Sequence, residues 1–237
     1  MRLWYHGWQI AAKVVFRVVF RLRVFGRERV PEEGPVLLVS NHQSFLDPVL
    51  CGVGLRRELD YIARDSLFHN RLFAKYIRSL NAFPIHRGQA DLAAIRTIVE
   101  RLGAGRAVVL FPEATRTADG RIRPIKGGFE LVARKGKATV VPVVIDGAYE
   151  AWPRTAKLPR PRRIGVLFGE GIGPETVRGM KREELVGEVN GRLRAMQEEL
   201  RERLGRRPYE YQAVPGKPEG TESRTDAETT EREREEA

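Results

Sequence analysis

The sequence predicts an α/β fold: a single domain with a mostly parallel central sheet flanked by helices, preceded by an amphipathic, membrane-associating N-terminal helix. Two observations carry the prediction. From residue 35 to 204, short apolar runs that end in polar turns alternate with stretches whose apolar residues recur at helical spacing. The chain is also long and apolar enough for one core, with 237 residues of which 42% are hydrophobic. Alternation of this kind places an active site at the carboxyl ends of the strands.

The elements follow in order. Residues 2–29 hold seven basic residues and one acid, with Lys13, Arg17 and Arg21 recurring every four positions. Trp8, Ala11, Ala12, Val15, Val18, Val19 and Leu22 fall on the other side, giving a cationic amphipathic helix that either lies in a bilayer interface or packs on the body. Its charges break any secretory signal, and no small-residue cleavage site follows. Residues 35–40 (PVLLVS) suit a buried strand, and 47–55 read as a helix with Asp47 at the N-cap and Pro48 at its first position. A strand at 59–64, a helical stretch around 66–79, a short extended piece at 83–87 and a helix from Gln89 to Leu102 come next. The strongest strand candidates are 106–113 and 138–145, with a helix at Phe129–Arg134 between them. A strand at 162–170 and a charged helix at 181–204 complete the set. Pro142 interrupts an otherwise central-looking strand, which predicts a bulge or an edge. The expected boundaries are a membrane-associating segment at 1–30, a catalytic domain at 31–205 and a disordered acidic tail at 206–237.

Charge and composition narrow the function. The net charge is +11, but residues 215–237 carry −4, so residues 1–214 carry +15. The tail has too few apolar residues to offset its ordering entropy, roughly 1–2 kcal/mol per residue. A body this basic suits an anionic partner. No zinc-finger spacing and no aromatic RNA-binding motif is present, so nucleic acid is not the expected partner. One cysteine, Cys51, excludes an internal disulfide, and four well-separated histidines argue against a metal site; no metal and no cofactor are expected. No uncharged apolar run reaches 18 residues, which argues against an ordinary membrane-spanning helix.

Four stretches at strand ends concentrate the reactive residues. In NHQSFLD (41–47), His42 and Asp47 can meet only if His42 sits in the loop and Asp47 opens the helix. The carboxylate would then fix the imidazole tautomer and leave the other nitrogen as a general base. Alternatively, Asp47 is a helix cap and His42 a satisfied loop histidine. FPIHR (83–87) and FPEATR (111–116) each deliver an arginine, Arg87 and Arg116, suited to phosphate, and the second adds Glu113 and Thr115. Surface salt bridges and a turn cap are the plainer readings of these. Lys126, followed by two glycines, could add a phosphate contact near a helix N-terminus. The fourth stretch, VVPVVI (140–145), carries no assigned chemistry. Cys51 sits in an apolar helix with no base beside it and is a poor nucleophile.

In this order and spacing the four stretches resemble the sequence blocks of the 1-acylglycerol-3-phosphate acyltransferases, over roughly residues 35–145 and more loosely 1–205. The resemblance implies direct transfer of an acyl chain from acyl-CoA or acyl-carrier protein to the hydroxyl of lysophosphatidic acid, giving phosphatidic acid. It implies His42 as base and Asp47 as its orienting partner. It makes Arg87, Glu113, Thr115 and Arg116 the phosphoglycerol site, and a cytoplasmic membrane face the location, held peripherally or monotopically. Another lysolipid, an ornithine-type lipid or glycerol-3-phosphate are alternative acceptors. A non-catalytic membrane or nucleic-acid binder is the alternative from another class. Two positions depart from the family pattern: Ala114 and Asn81 stand where glycine is usual, and a positive φ at Ala114 would be strained.

Overall fold

The computed structural model describes residues 3–85 and 92–211. Its seven strands are β1 (Arg23–Phe25), β2 (Val36–Ser40), β3 (Leu59–Arg64), β4 (Ala82–Ile85), β5 (Ala107–Leu110), β6 (Thr139–Asp146) and β7 (Gly165–Phe168). They form one sheet in the order β1-β7-β6-β2-β5-β3-β4. Every pairing is parallel except β6 with β7. The helices are α1 (Leu3–Val19), α2 (Asp47–Gly54), α3 (Arg71–Ser79), α4 (Leu92–Gly103), α5 (Gly128–Lys135), α6 (Ala148–Ala151), α7 (Pro174–Gly179) and α8 (Arg182–Arg203).

Strand side chains alternate between two cores, as the pleat requires. Leu37 and Val39 face the side covered by α4, α5, α7 and α8. Val36 and Leu38 face the side covered by α1, α2 and α6. Because helices cover both faces, β2 reads as an unbroken apolar run, and Val36 to Val39 are fully buried. The expected α/β architecture is the observed one.

Three expectations need correction. The N-terminal helix ends at Val19, not near residue 29. Arg21 adopts a left-handed φ of 46°, Phe20, Leu22 and Val30 enter the core, and Arg23–Phe25 adds an edge strand beside β7. The arginines at 21, 23, 27 and 29 continue the helical charge rhythm while the chain leaves the helix; charge on a short edge strand discourages edge-to-edge association. The body-facing stripe of α1 is Tyr5, Gln9, Ala12 and Phe16, whereas Val14, Val15, Val18 and Val19 point outward. Residues 206–211 belong with the body as well. Arg206 pairs with the buried Asp146, and the Tyr211 hydroxyl accepts from the Ile122 amide at 2.8 Å. The remainder of the expected tail, residues 212–237, lies outside the described residues.

The third correction concerns Pro142, which is in an interior strand, opposite Val39 of β2. The irregularity it predicts falls on the neighbouring segment. Val140 bridges Ile172 and Val143 pairs with Phe168, so two residues of β6 face three of the other strand, Gly169 to Gly171. That bulge spares β6 a ladder donor at Pro142, while the Pro142 carbonyl accepts from the Gly169 amide at 2.9 Å. The sequence also gave no signal for β1, α6 or α7, which are only three, four and six residues long.

Candidate active site

The site forms at the carboxyl ends of β2 and β5. After β2 the chain cannot continue as strand, because Asn41 turns its amide onto β6: Nδ2 donates to the Ile145 carbonyl (2.9 Å) and Oδ1 accepts from the Ile145 amide (2.8 Å). This two-point attachment leaves His42 at the start of a loop. Asp47 then folds back as expected, although it is the first residue of α2 and not its N-cap, which is Leu46.

The Asp47 carboxylate serves the loop before it. Oδ2 accepts from the Gln43 amide (2.6 Å), the Ser44 amide (2.7 Å) and Nδ1 of His42 (2.7 Å). Asp47 is fully buried, and its contact fixes the proton of His42 on Nδ1, leaving Nε2 with a lone pair. The ring stacks on Phe111 at a centroid distance of 4.4 Å, and the side chain remains 16% exposed.

The segment after β5 grips the backbone of His42 from both sides. Its amide donates to Glu113 Oε1 (3.0 Å), and its carbonyl accepts from the Thr117 amide (2.8 Å). Glu113 Oε2 also accepts from the Arg123 amide at 3.3 Å. Glu113 is thus buried with both oxygens committed to backbone, which places it under the imidazole loop and not at an open subsite. Burial, with the Asp47 charge nearby, pushes its carboxyl up to about 7, against the opposing pull of those two amides.

The other expected residues divide as follows. Arg116 lies over the Phe45 ring, its guanidinium carbon 3.5 Å from the centroid, and Phe45 in turn packs on Trp152. Phe45 is 53% exposed, so this stack forms an open aromatic lip beside His42. Thr115 is half-buried in the same segment. Lys126 is exposed just before α5, its amide bonded to the Pro112 carbonyl at 3.1 Å. Arg87 lies outside the described residues. Both departures from glycine adopt left-handed backbone, φ 60° at Ala114 and φ 67° at Asn81. Asparagine tolerates that region better than alanine does. Cys51 is buried, its Sγ 3.9 Å from the Ser40 hydroxyl, and burial pushes its thiol up. Among the described residues no group of three His, Cys, Asp or Glu side chains could hold a metal.

Asn41, Gln43, Phe45, Phe111 and Thr117 build this site without having been singled out from sequence. For three of them the only available signal was proximity to His42 in the motif itself.

The family model described as Acyltransferase matches residues 21–146, more than half of the chain, including His42, Asp47, Glu113 and Arg116. The chain belongs to the acyltransferase family. It is 28% identical over 196 residues to the 1-acyl-sn-glycerol-3-phosphate acyltransferase of Bacillus subtilis (strain 168), covering 82% of this chain and 92% of that one. It is 29% identical over 160 residues to the protein of the same name from Streptococcus pneumoniae (strain ATCC BAA-255 / R6), covering 66% of this chain and 57% of the other. The crystal structure of the 1-acyl-sn-glycerophosphate (LPA) acyltransferase PlsC from Thermotoga maritima superposes with a TM-score of 0.71 at 28% identity. That match covers 83% of this chain and 79% of the other. The acyltransferase therefore shares both the fold and the enzyme class of these relatives, as the four blocks implied.

Proposed function

We propose that this acyltransferase moves a fatty acyl chain from an acyl thioester, acyl-CoA or acyl-carrier protein, to the free hydroxyl of 1-acyl-glycerol-3-phosphate, giving phosphatidic acid. The observation that carries the reading is the His42–Asp47 pair clamped onto the segment that bears Arg116. Nε2 of His42 takes the proton of the acceptor hydroxyl as its oxygen bonds to the thioester carbonyl carbon. The tetrahedral adduct collapses, the C–S bond breaks, and the departing thiolate recovers the proton from the imidazolium. Asp47 keeps the ring in the tautomer this requires and faces the positive charge that develops on it. Arg116 pairs with the acceptor phosphate, assisted by Lys126, Arg87 and the Thr115 hydroxyl, and Glu113 acts indirectly by fixing the His42 amide.

The test is thiol release from oleoyl-CoA, with and without lysophosphatidic acid, by wild type and His42→Ala. Acceptor-dependent release that falls by at least about 10²–10⁴ in the variant is expected; near-wild-type turnover by His42→Ala would remove histidine as the base. Acyl-carrier protein replaces CoA in a parallel arm to identify the donor.

We further infer residence on the cytoplasmic membrane surface. No helix among the described residues is long and apolar enough to cross a bilayer. The outward face of α1 exposes Trp4, Ile10, Val14, Val15 and Val18, and α3 sits beside it, joined by hydrogen bonds from Trp4 to Ser79 and from Trp8 to Tyr76. Leu72 of α3 is 82% exposed on the same flank. Apolar area on this scale, with Arg17 on the same helix, suits an anionic interface. Val14→Asp with Val18→Asp should abolish co-flotation with phosphatidylglycerol vesicles. Undiminished flotation would exclude α1 as the contact.

A further inference from the structure

The family model ends at residue 146, yet the segment that grips His42 is itself held from outside that range. After α8 the chain turns back as a short strap, residues 206–211, against the loop that joins β5 to α5. The Tyr209 hydroxyl donates to the Asp119 carbonyl at 3.4 Å. The Tyr211 hydroxyl accepts from the Ile122 amide at 2.8 Å and donates to Gln197 Oε1 on α8. With its Oε1 occupied by that donor, Gln197 is oriented so that Nε2 donates to the Gly120 carbonyl at 3.0 Å. The same carbonyl accepts from Gln43 Nε2 at 2.8 Å, and Gln43 is the residue next to His42. Gln43 is oriented in its turn by the Tyr149 amide, which donates to its Oε1 at 3.2 Å.

One peptide oxygen therefore joins two buried amide side chains, one from the His42 loop and one from α8. The site admits little else. Gly120 has φ 87°, and a Cβ there would collide with the Tyr209 hydroxyl. Gln197 is fully buried, so each lost bond would leave a polar group without solvent.

We propose that Gln197 and Tyr211 are positioning residues of the acceptor subsite. Through the Gly120 carbonyl and the Ile122 amide they hold the segment carrying Thr115, Arg116 and Lys126 in fixed register with the His42 loop. This rests on the reading of that segment as the phosphate side of the site. Burial pushes the Tyr211 phenol up to about 12, so its hydroxyl remains a donor wherever the enzyme works.

The experiment measures separate KM values for lysophosphatidic acid and for the acyl donor in full-length wild type, Tyr211→Phe, Gln197→Met, the double variant and Arg116→Ala. Tyr211→Phe removes a single oxygen and is expected to raise the acceptor KM up to about tenfold. The donor KM should stay within about twofold, and amide exchange across 117–123 should quicken while that of β2 does not. Gln197→Met should act in the same direction, and the double variant should be no worse than the worse single, because both act through one loop. If Arg116→Ala raises the acceptor KM and Tyr211→Phe leaves both KM and exchange unchanged, the strap assignment is overturned. If neither substitution moves the acceptor KM, the phosphate-side reading falls and the strap assignment with it. If all kinetic parameters fall together with the folded fraction, the strap is only a structural tie and the assignment is again overturned.

Discussion

Asp47 and Asp60 are both fully buried, at opposite ends of the same sheet, and they are partnered in different ways. At the amino edge, Asp60 accepts from Arg101 Nη1 at 2.6 Å and from Arg106 Nε at 2.7 Å, and its other oxygen is taken by Arg106 Nη2. Two guanidiniums answer one carboxylate, and nothing in that cluster is left to react. Asp146 repeats the arrangement with Arg201 and Arg206. At the carboxyl edge, Asp47 has no arginine in hydrogen-bond contact among the described residues: two backbone amides and one imidazole share its Oδ2. A buried carboxylate paired with arginines ties elements together, whereas one held through a single oxygen by backbone amides and a titratable ring can direct a proton. The neighbours, and not the residue type, separate the structural aspartate from the functional one.

Substitution at each end should break this contrast in opposite senses. Asp47→Asn should give the largest effect, a fall of about 10⁴ in kcat, because the amide no longer enforces the Nδ1–H tautomer. Steady-state kinetics on protein of verified fold would check it, and a fall under tenfold would reduce Asp47 to a loop tie. Asp60→Asn should leave kcat per folded molecule unchanged and cost about 3 kcal/mol in urea unfolding. That is the low end for a broken buried pair, since Arg101 and Arg106 keep about a third of their side-chain surface in solvent. Loss of turnover in folded Asp60→Asn would erase the distinction.

Glu113 sharpens the contrast, as a buried acid with two backbone amides and, among the described residues, no cation in hydrogen-bond contact. Its folded value of about 7 lies above the ordinary 4.5. The folded state therefore binds the extra proton between those values, and the stability Glu113 contributes is present below about 4.5 and lost as pH rises through about 7. Wild type should lose stability between pH 5 and 8 by at most about 3 kcal/mol more than Glu113→Gln does. Parallel urea midpoints for the two proteins across that range would contradict the assignment.

Much of this was legible in the sequence, for reasons visible in particular residues. Val36 to Val39 announce a strand because a parallel strand covered on both faces must be apolar throughout. His42 and Asp47 announce their contact because Pro48 opens a helix and turns Asp47 back on the loop. Ala114 stands where glycine is usual, which marks the left-handed backbone it adopts; Asn81 adopts the same region, although its departure from glycine carried no such expectation. Other features left no such mark. Arg21, Arg23, Arg27 and Arg29 continue a helical charge pattern through a turn and an edge strand, so periodicity alone extends α1 too far. Glu113 reads as a ligand to substrate until the fold brings His42, 71 positions earlier in the chain, within reach of it. Gln197 lies in a charged helix 77 residues from Gly120, and only tertiary structure joins them.

The buried thiol has a practical side. The chain has one cysteine, and it sits in the core with its hydrogen bonded towards Ser40. A maleimide or aromatic disulfide reagent added to the native enzyme will find no protein sulfur to label. In a turnover assay its colour or fluorescence then counts released coenzyme alone. Labelling of Cys51 itself would begin only when α2 lifts from the sheet, which turns the same reagent into a clock for unfolding.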